Sequence, residues 1–350
     1  MAKEVFFIIP NSEIGGAQNF FKRLFNNFEV GNKELVIENR ASHKNLNFLY
    51  RVFRIYRLIS KSEREPVVFA TVNSIVPSTF CRLFLKKFLL ISRIGNTLSS
   101  EIKNNLWNFY KFFFLYRVIF KVADYVVFQS KAMKEDALKT LNLSNDSKYV
   151  VINNGVDFKE IQRFSLEKDK TEVDPEFLNF LLIGSFKFQK GYDIFFNALS
   201  LIPKDEMESM KFYICGGGQL LPKFQEEVIR MSLSNNIIFL GWIDNPYPLI
   251  RKMDSYILPS RYEGFPNSLI EALSFGLPSI VSRCPGANEE IISDNFNGIT
   301  FKNENPKDLA KKIIMMKKNL EKFDSELIVQ DIKHRYLIQD IANQYKHLIV

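Results

Sequence analysis

Short runs of apolar, β-branched and aromatic residues alternate along the chain with longer segments whose apolar positions recur every three to four residues. In the first half the runs are Val5–Ile9, Glu34–Ile37, Val67–Val72, Leu89–Arg93, Tyr125–Phe128 and Tyr149–Ile152, with helical patterns at about 16–28, 46–61, 104–121 and 131–141. In the second half they are Leu178–Ile183, Lys211–Cys215, Ile237–Leu240, Ser255–Leu258 and Ser279–Ser282, with helices at about 192–200, 219–231, 246–253, 268–275 and 306–318. The short runs read as strands and the periodic segments as amphipathic helices. Regular alternation of the two predicts parallel sheets covered by helices on both faces.

The alternation breaks between Asp157 and Pro175, a charged stretch with no apolar period, which reads as a linker over 157–176. The predicted architecture is α/β, with two doubly wound domains, 1–165 and 176–330. The tail is helical in pattern over about 325–349; a C-terminal helix, 331–350, can pack on either domain and is assigned a return onto the first. Neither a short-period repeat nor a low-complexity tract interrupts the pattern. Ligands of such folds sit at the carboxyl ends of the strands, so the strand-to-helix turns are where chemistry is expected.

A chain of 350 residues with 46% hydrophobic and 25% charged residues has room for about two ordinary globular domains. Cys81, Cys215 and Cys284 are odd in number and far apart, which excludes a disulfide framework and every CxxC pattern and suits a reducing cytoplasm. His43, His334 and His347 share no zinc-binding spacing. The longest stretch without a charged side chain, Pro66–Cys81, is 16 residues and carries several hydroxyls, short of the ~20 apolar residues of a membrane span. The N-terminus reads as a first strand, not a signal peptide. A net charge of +8 favours an anionic partner: nucleic acid, a membrane surface or a phosphorylated substrate. The 34 phenylalanines fit an AT-rich coding sequence equally well.

The most informative turn runs from Ser260 through Arg261, Tyr262, Glu263, Gly264, Phe265, Pro266, Asn267 and Ser268 to Glu271, leaving one strand and entering a helix. Asn267 is placed as the N-cap, Gly276 just past the helix end and Pro278 as its stop. Backbone N–H groups between Phe265 and Leu269 form an anion site at the positive helix end. Glu263 before the helix and Glu271 within it add two carboxylates, and a carboxylate accepts charge-assisted bonds from a cis-diol worth about 1.5–3 kcal/mol each. Phosphate cradle and carboxylates together fit a nucleotide-sugar. A capping glutamate beside an exposed one is the plainer account.

Three further turns carry glycines. In Gly184-Ser185-Phe186-Lys187-Phe188-Gln189-Lys190-Gly191, a lysine directly before a glycine can reach a diphosphate, although the P-loop spacing is missing and a solvated turn lysine has the same pattern. Cys215-Gly216-Gly217-Gly218 admits a nucleotide close to the backbone. Leu221 stands where GxGxxG has its third glycine and no acidic residue ends the following strand, which counts against a nicotinamide cofactor. Gly15-Gly16-Ala17-Gln18 repeats the glycine turn in the first domain. Tight turns without a ligand explain both glycine clusters equally well.

In order and spacing, these turns together with Asn154-Gly155-Val156-Asp157 and Gly276-Leu277-Pro278 resemble glycosyltransferase family 4, the retaining nucleotide-sugar transferases of the GT-B fold. The resemblance implies two Rossmann-like domains facing a central cleft, with a lipid-linked glycan acceptor entering from the first and a nucleotide-sugar donor, usually UDP-linked, bound by the second. It implies that Lys190 binds the donor diphosphate, that Glu263 faces the sugar hydroxyls, and that amides from Phe265 to Ser268 hold the distal phosphate. Glu271 would take the ribose diol, and Gly16 would lie near the phosphates. Gly184, Ser185, Gly216, Gly217, Gly264, Pro266 and Asn267 complete the implied donor site, with Lys190 and Glu263 as its catalytic pair. Two departures stand out: Ser185 replaces a common arginine, with Lys187 the nearest cation, and no histidine follows the strand ending at Arg93. Arg93 and Asn96 are the acceptor-side candidates for that role. No clustered carboxylates suggest a metal, and no cofactor beyond the donor is implied.

Three segments of the first domain, Asn47–Lys61, Phe80–Arg93 and Leu106–Phe120, interleave aromatic and basic residues. They suit interfacial helices on an anionic membrane surface as well as core-packed helices. The expectation is a retaining, metal-independent hexosyltransferase of bacterial surface-polysaccharide synthesis, cytoplasmic and peripheral on the inner membrane face. A nucleotide- or glycan-binding scaffold without catalysis, and less favourably a nicotinamide-dependent oxidoreductase, are the alternatives. Nucleic acid is disfavoured, because the cations sit among bulky apolar side chains and no recognition motif appears.

Overall fold

The computed structural model describes residues 3–9, 16–37, 44–84, 88–103 and 109–350. The chain forms two compact units, Met1–Gly155 with Ile338–Val350, and Val156–Leu337.

The first unit holds strands β1 (Glu4–Ile9), β2 (Asn32–Ile37), β3 (Pro66–Thr71), β4 (Leu89–Arg93), β5 (Tyr125–Phe128) and β6 (Tyr149–Val151). They pair in parallel in the order β2-β1-β3-β4-β5-β6. Its helices are α1 (Gly16–Asn27), α2 (Lys44–Lys61), α3 (Ile75–Phe84), α4 (Leu98–Lys103), α5 (Phe109–Val122), α6 (Lys131–Leu141) and, from the end of the chain, α16 (Ile338–His347). Side chains alternate across a strand, so Val5, Phe7 and Ile9 of β1 face α1 and α16, while Phe6 and Ile8 face the opposite helical layer. On the α1 side the phenylalanines do the packing. Phe7 stacks on Phe69 at 4.7 Å, Phe28 meets both edge-on, and Tyr345 of α16 closes the group at 5.8 Å from Phe69. Truncating a fully buried ring such as Phe69 to alanine would cost about 3–5 kcal/mol.

The second unit contains α7 (Phe158–Phe164), β7 (Leu178–Ile183), α8 (Tyr192–Leu199), α9 (Lys204–Met207), β8 (Met210–Cys215), α10 (Leu221–Arg230), β9 (Ile237–Gly241), α11 (Tyr247–Ile250), β10 (Ser255–Leu258), α12 (Asn267–Leu273), β11 (Ser279–Arg283), α13 (Asn288–Ile291), β12 (Gly298–Lys302), α14 (Pro306–Asn319) and α15 (Ser325–Tyr336). Its parallel sheet runs β12-β11-β10-β7-β8-β9. From the neighbouring central strands β7 and β10 the chain winds outward in opposite directions. The gap between their carboxyl ends is therefore the topological switch point of this sheet.

The stretch read as a linker differs most from expectation. Asp157 caps α7, its carboxylate accepting from the amides of Lys159 and Glu160 at 3.1 and 3.0 Å, and the buried Ile161 anchors that helix in the second unit. The division falls at Gly155/Val156, not within 166–175, because the charged residues beyond α7 are also tied down: Asp169 pairs with Lys252 at 2.9 Å. The tail is two helices, because the chain leaves helical geometry at Leu337 (ψ 126°); α15 stays with the second unit and α16 joins the first. Asn267 is the first residue of α12 and not its N-cap. Pro266, held extended at φ −77° and ψ 97°, occupies that place, and its carbonyl accepts from Leu269 N–H at 3.1 Å.

Candidate functional site

At the switch point the loop after β7 meets the loop after β10. The lysine-before-glycine and the first of the two glutamates come together here: Lys190 Nζ donates to Glu263 Oε1 at 2.5 Å. Ser260 Oγ donates to the same oxygen at 2.6 Å, and neither bond uses Oε2. Glu263 is only 5% exposed, whereas the lysine side chain keeps 21% of its surface. The stem of Lys190 runs beside Gly184, where a Cβ would touch its Cδ at 3.4 Å.

Several residues outside the predicted set hold this geometry. Arg261 donates two bonds to Asp193 at 2.8 and 2.6 Å, a third to Glu304 at 2.7 Å, and lies over the Phe188 ring at 3.9 Å. Its backbone N–H reaches the Gln189 carbonyl at 2.8 Å, while Gln189 Nε2 reaches the Tyr262 carbonyl at 3.0 Å. The two loops are thus laced together on both sides of the ion pair. Burial alone would raise the Asp193 carboxyl, but the bonds and charge of Arg261 outweigh it and hold it below the usual carboxylate range. Arg261 lies inside the Ser260–Glu263 motif; a cation between two stretches assigned to loops was the signal available in the sequence.

Behind Glu263 the turn after β11 approaches closely. Glu263 N–H donates to the Pro285 carbonyl at 2.9 Å, and Gly286 (φ +129°) brings its Cα so near that a Cβ would lie 2.0 Å from the Glu263 carbonyl oxygen. Cys284 in the same turn is buried, and burial, with Glu263 adding to it, pushes its thiol up to about 12.

The glycine turn after β8 divides in two. Gly216 (φ +154°) is a packing glycine, because a Cβ would fall 1.9 Å from the Gly184 carbonyl oxygen. Gly217 faces open space, and its carbonyl accepts from Phe186 N–H at 2.9 Å. The half-buried Ser185 lies between these contacts, and Lys187 is exposed. On α12, Ser268 shares a hydrogen bond of 2.8 Å with the buried Tyr256, and Glu271 accepts from Tyr247 Oη at 3.2 Å. Gly264, Phe265 and Pro266 are buried, and the Phe265 ring packs edge-on to Tyr336 at 5.5 Å, so any role of Phe265 in ligand binding falls to its backbone.

The acceptor-side candidates separate. Arg93 is 1% exposed, donates to Asn154 Oδ1, and sits over Phe20 and Phe21 at 4.6 and 5.5 Å. It points inward at an apolar position of β4, and burial lowers the affinity of its guanidinium for its proton. Arg93 is therefore a core residue, not a group offered to an acceptor. Asn96 is half-buried and accepts from Thr97 N–H at 3.0 Å. Gly16 opens α1 and is exposed; Gly15 lies outside the described residues, as do Leu106–Asn108 of the third aromatic segment. Among the described residues no group of three His, Cys, Asp or Glu side chains is placed to hold a metal ion, and no helix is long and apolar enough to cross a membrane.

Residues 158–328, nearly the whole second unit, match the family model described as glycosyl transferases group 1. An uncharacterized glycosyltransferase of Methanocaldococcus jannaschii is 28% identical over 313 residues, covering 87% of this chain and 78% of that protein. The N,N'-diacetylbacillosaminyl-diphospho-undecaprenol alpha-1,3-N-acetylgalactosaminyltransferase of Campylobacter jejuni is 27% identical over 327 residues, covering 89% and 81%. Among solved structures, Anabaena HepE in complex with UDP-glucose matches with a TM-score of 0.78 at 16% identity, over 100% of this chain and 99% of that one. At that identity the likeness speaks for the fold: two Rossmann-like domains, as in GT-B enzymes.

Proposed function

On the match of residues 158–328 to the model of glycosyl transferases group 1, we propose that this chain is a retaining, family 4-type hexosyltransferase that uses a UDP-sugar. The proposed acceptor is a hydroxyl of a lipid-linked glycan in bacterial surface-polysaccharide synthesis. The single observation carrying the reading is the Lys190–Glu263 pair at the switch point of the second unit. A diphosphate arriving there would draw the ammonium of Lys190 away from Glu263 and release Oε1 to accept from a sugar hydroxyl. Ser260 keeps the carboxylate aimed during that exchange.

In the proposed reaction the bond from the anomeric carbon to the diphosphate oxygen breaks, and Lys190 disperses the charge that develops on the leaving group. The acceptor oxygen bonds to the anomeric carbon from the face the diphosphate leaves, and its proton passes to a phosphate oxygen, so configuration is retained. Glu271, held by Tyr247, takes the ribose diol, and the amides between Phe265 and Ser268 take the distal phosphate. The reading assigns no metal to these steps. The undecaprenol-linked substrate in the name of the C. jejuni relative supports a lipid-linked acceptor, and with it a place on the inner face of the cytoplasmic membrane.

The test is thermal shift and UDP release across a panel of UDP-sugars with undecaprenyl-diphosphate-linked glycan, with and without EDTA, followed by NMR of the anomeric linkage. Absence of any shift with every nucleotide-sugar would defeat the reading. Binding without UDP release would favour the scaffold alternative, which Ser185 in place of the family arginine keeps in view.

A further inference from the structure

Helices α2, α3 and α5 cover one face of the first unit's sheet, α2 packing on α3 and α3 on α5. Their inner positions, among them Val52, Ile55, Cys81 and Phe120, belong to the core. Their outer positions do not look like an ordinary surface. Leu49 is 65% exposed, Phe53 60%, Phe84 66%, Tyr110 75% and Phe114 65%. The half-open Phe80 links the helices, its ring lying 5.7 Å from Phe48 on α2 and 4.6 Å from Phe84. The apolar surface is therefore continuous from α2 to α3.

The charge on these helices has one sign. None of the three contains an aspartate or glutamate, whereas Arg57, Lys61, Lys111 and Lys121 are all exposed. Arg54 and Arg117 donate to the carbonyls of Ile37 and Leu141 at 2.7 and 2.8 Å. A freely solvated surface intersperses both signs, and a protein–protein interface core is depleted in lysine. Exposed rings framed by cations with no ion pair among the described residues match the boundary of a bilayer, with aromatics among the headgroups and cations against acidic lipids.

We infer that the α2–α3–α5 face lies flat on an anionic lipid bilayer, with Leu49, Phe53, Phe84, Tyr110 and Phe114 entering the headgroup boundary and Arg57, Lys61, Lys111 and Lys121 meeting acidic headgroups. The inference rests on the lipid-linked acceptor proposed above, and names the surface that brings this chain to it.

Flotation of the full chain with vesicles of phosphatidylcholine, alone or mixed with phosphatidylglycerol, tests it. Binding to the mixed vesicles is expected to exceed binding to phosphatidylcholine alone and to weaken as salt shortens the screening length. Arg57→Glu, Lys111→Glu and Lys121→Glu together cut partitioning by about five-fold or more per cation. Leu49→Ser, Phe53→Ser and Phe114→Ser together abolish the binding that survives high salt. UDP binding and the thermal midpoint, measured on the same variants, stay near the parent's and show that folding is intact. Equal binding to both vesicle types, or binding unmoved by either variant, overturns the inference. So does a concentration-dependent dimer, without lipid binding, that Phe53→Ser disrupts. Lost vesicle binding with intact UDP release leaves the enzymatic reading standing; the converse result removes that reading alone.

Discussion

Lys190 Nζ stands 2.5 Å from Oε1 of Glu263 across 73 residues of sequence, and the glutamate is the more buried of the two. Removing the lysine alone therefore strands a carboxylate. Breaking a buried pair from one side costs about 3–5 kcal/mol, and the partial exposure of Lys190 brings this nearer to roughly 2–3 kcal/mol. Lys190→Ala should lose both turnover and stability, whereas Lys190→Met with Glu263→Gln should recover the stability and leave the turnover lost. Chemical denaturation beside UDP-release kinetics checks this; turnover returning with the double variant would remove Lys190 from the chemistry.

Glu271 and Tyr247 form a weaker couple, with 3.2 Å between carboxylate and hydroxyl. Glu271→Gln should raise the KM for the UDP-sugar about ten- to hundred-fold, the worth of one charge-assisted bond, with little change in kcat. Tyr247→Phe should raise it only a few-fold, since the carboxylate remains. Steady-state kinetics with varied donor distinguishes this from a general loss of fold, which would lower the active fraction and leave KM unchanged.

The turn behind Glu263 tolerates no side chain at Gly286, where a Cβ would lie 2.0 Å from the Glu263 carbonyl. Gly286→Ala must push that loop aside, adding a steric clash to a backbone cost of about 1–3 kcal/mol. Activity should fall at least ten-fold. Gly217→Ala, facing open space, should leave stability near the parent's in thermal unfolding.

Two carboxyls should move stability with pH in opposite senses. Burial raises Glu101 above its ordinary 4.5, with the bond from Tyr116 at 2.8 Å working the other way. Its favourable contribution is complete below about 4.5 and is lost as pH climbs through the folded value, so Glu101→Gln should gain on the parent in Tm as pH rises from acid to neutral. Asp193 is held below its ordinary 3.8, so its contribution is present above that value and disappears as pH falls through the lower folded one. Asp193→Asn should therefore lose most relative to the parent at neutral pH and least in strong acid. Tm profiles parallel to the parent's in either variant would contradict the assignment.

Most of the sheets were legible because strands buried on both faces are short, unbroken apolar runs. β12 escaped because Gly298, Thr300 and Lys302 interrupt its two apolar side chains, Ile299 and Phe301. α3 escaped for a different reason: Pro77 sits in it, and Ser78 and Thr79 are buried alongside Ile75 and Cys81, which erases the amphipathic period. In the site, Lys190 and Glu263 could be singled out one at a time, but their meeting depends on β7 and β10 lying side by side, a matter of topology and not of local pattern. Arg93 shows the opposite failure. Its place where the resemblance puts a histidine suggested a role toward a substrate, while the strand's alternation already placed it on the same face as the buried Ile91.

The ends of the second unit lie together: Val156 bridges to Leu337, and its N–H donates to the Tyr336 carbonyl at 2.7 Å. In the first unit Gly155 and Ile338 approach so closely that a Cβ on the glycine would reach the isoleucine backbone at 2.9 Å. Residues 156–337 thus form a cassette inserted at one seam, and its neighbouring ends are the arrangement that tolerates excision and grafting. Under the proposed function, exchanging that cassette between relatives would re-tailor which donor is read while leaving the host's α2–α3–α5 face untouched.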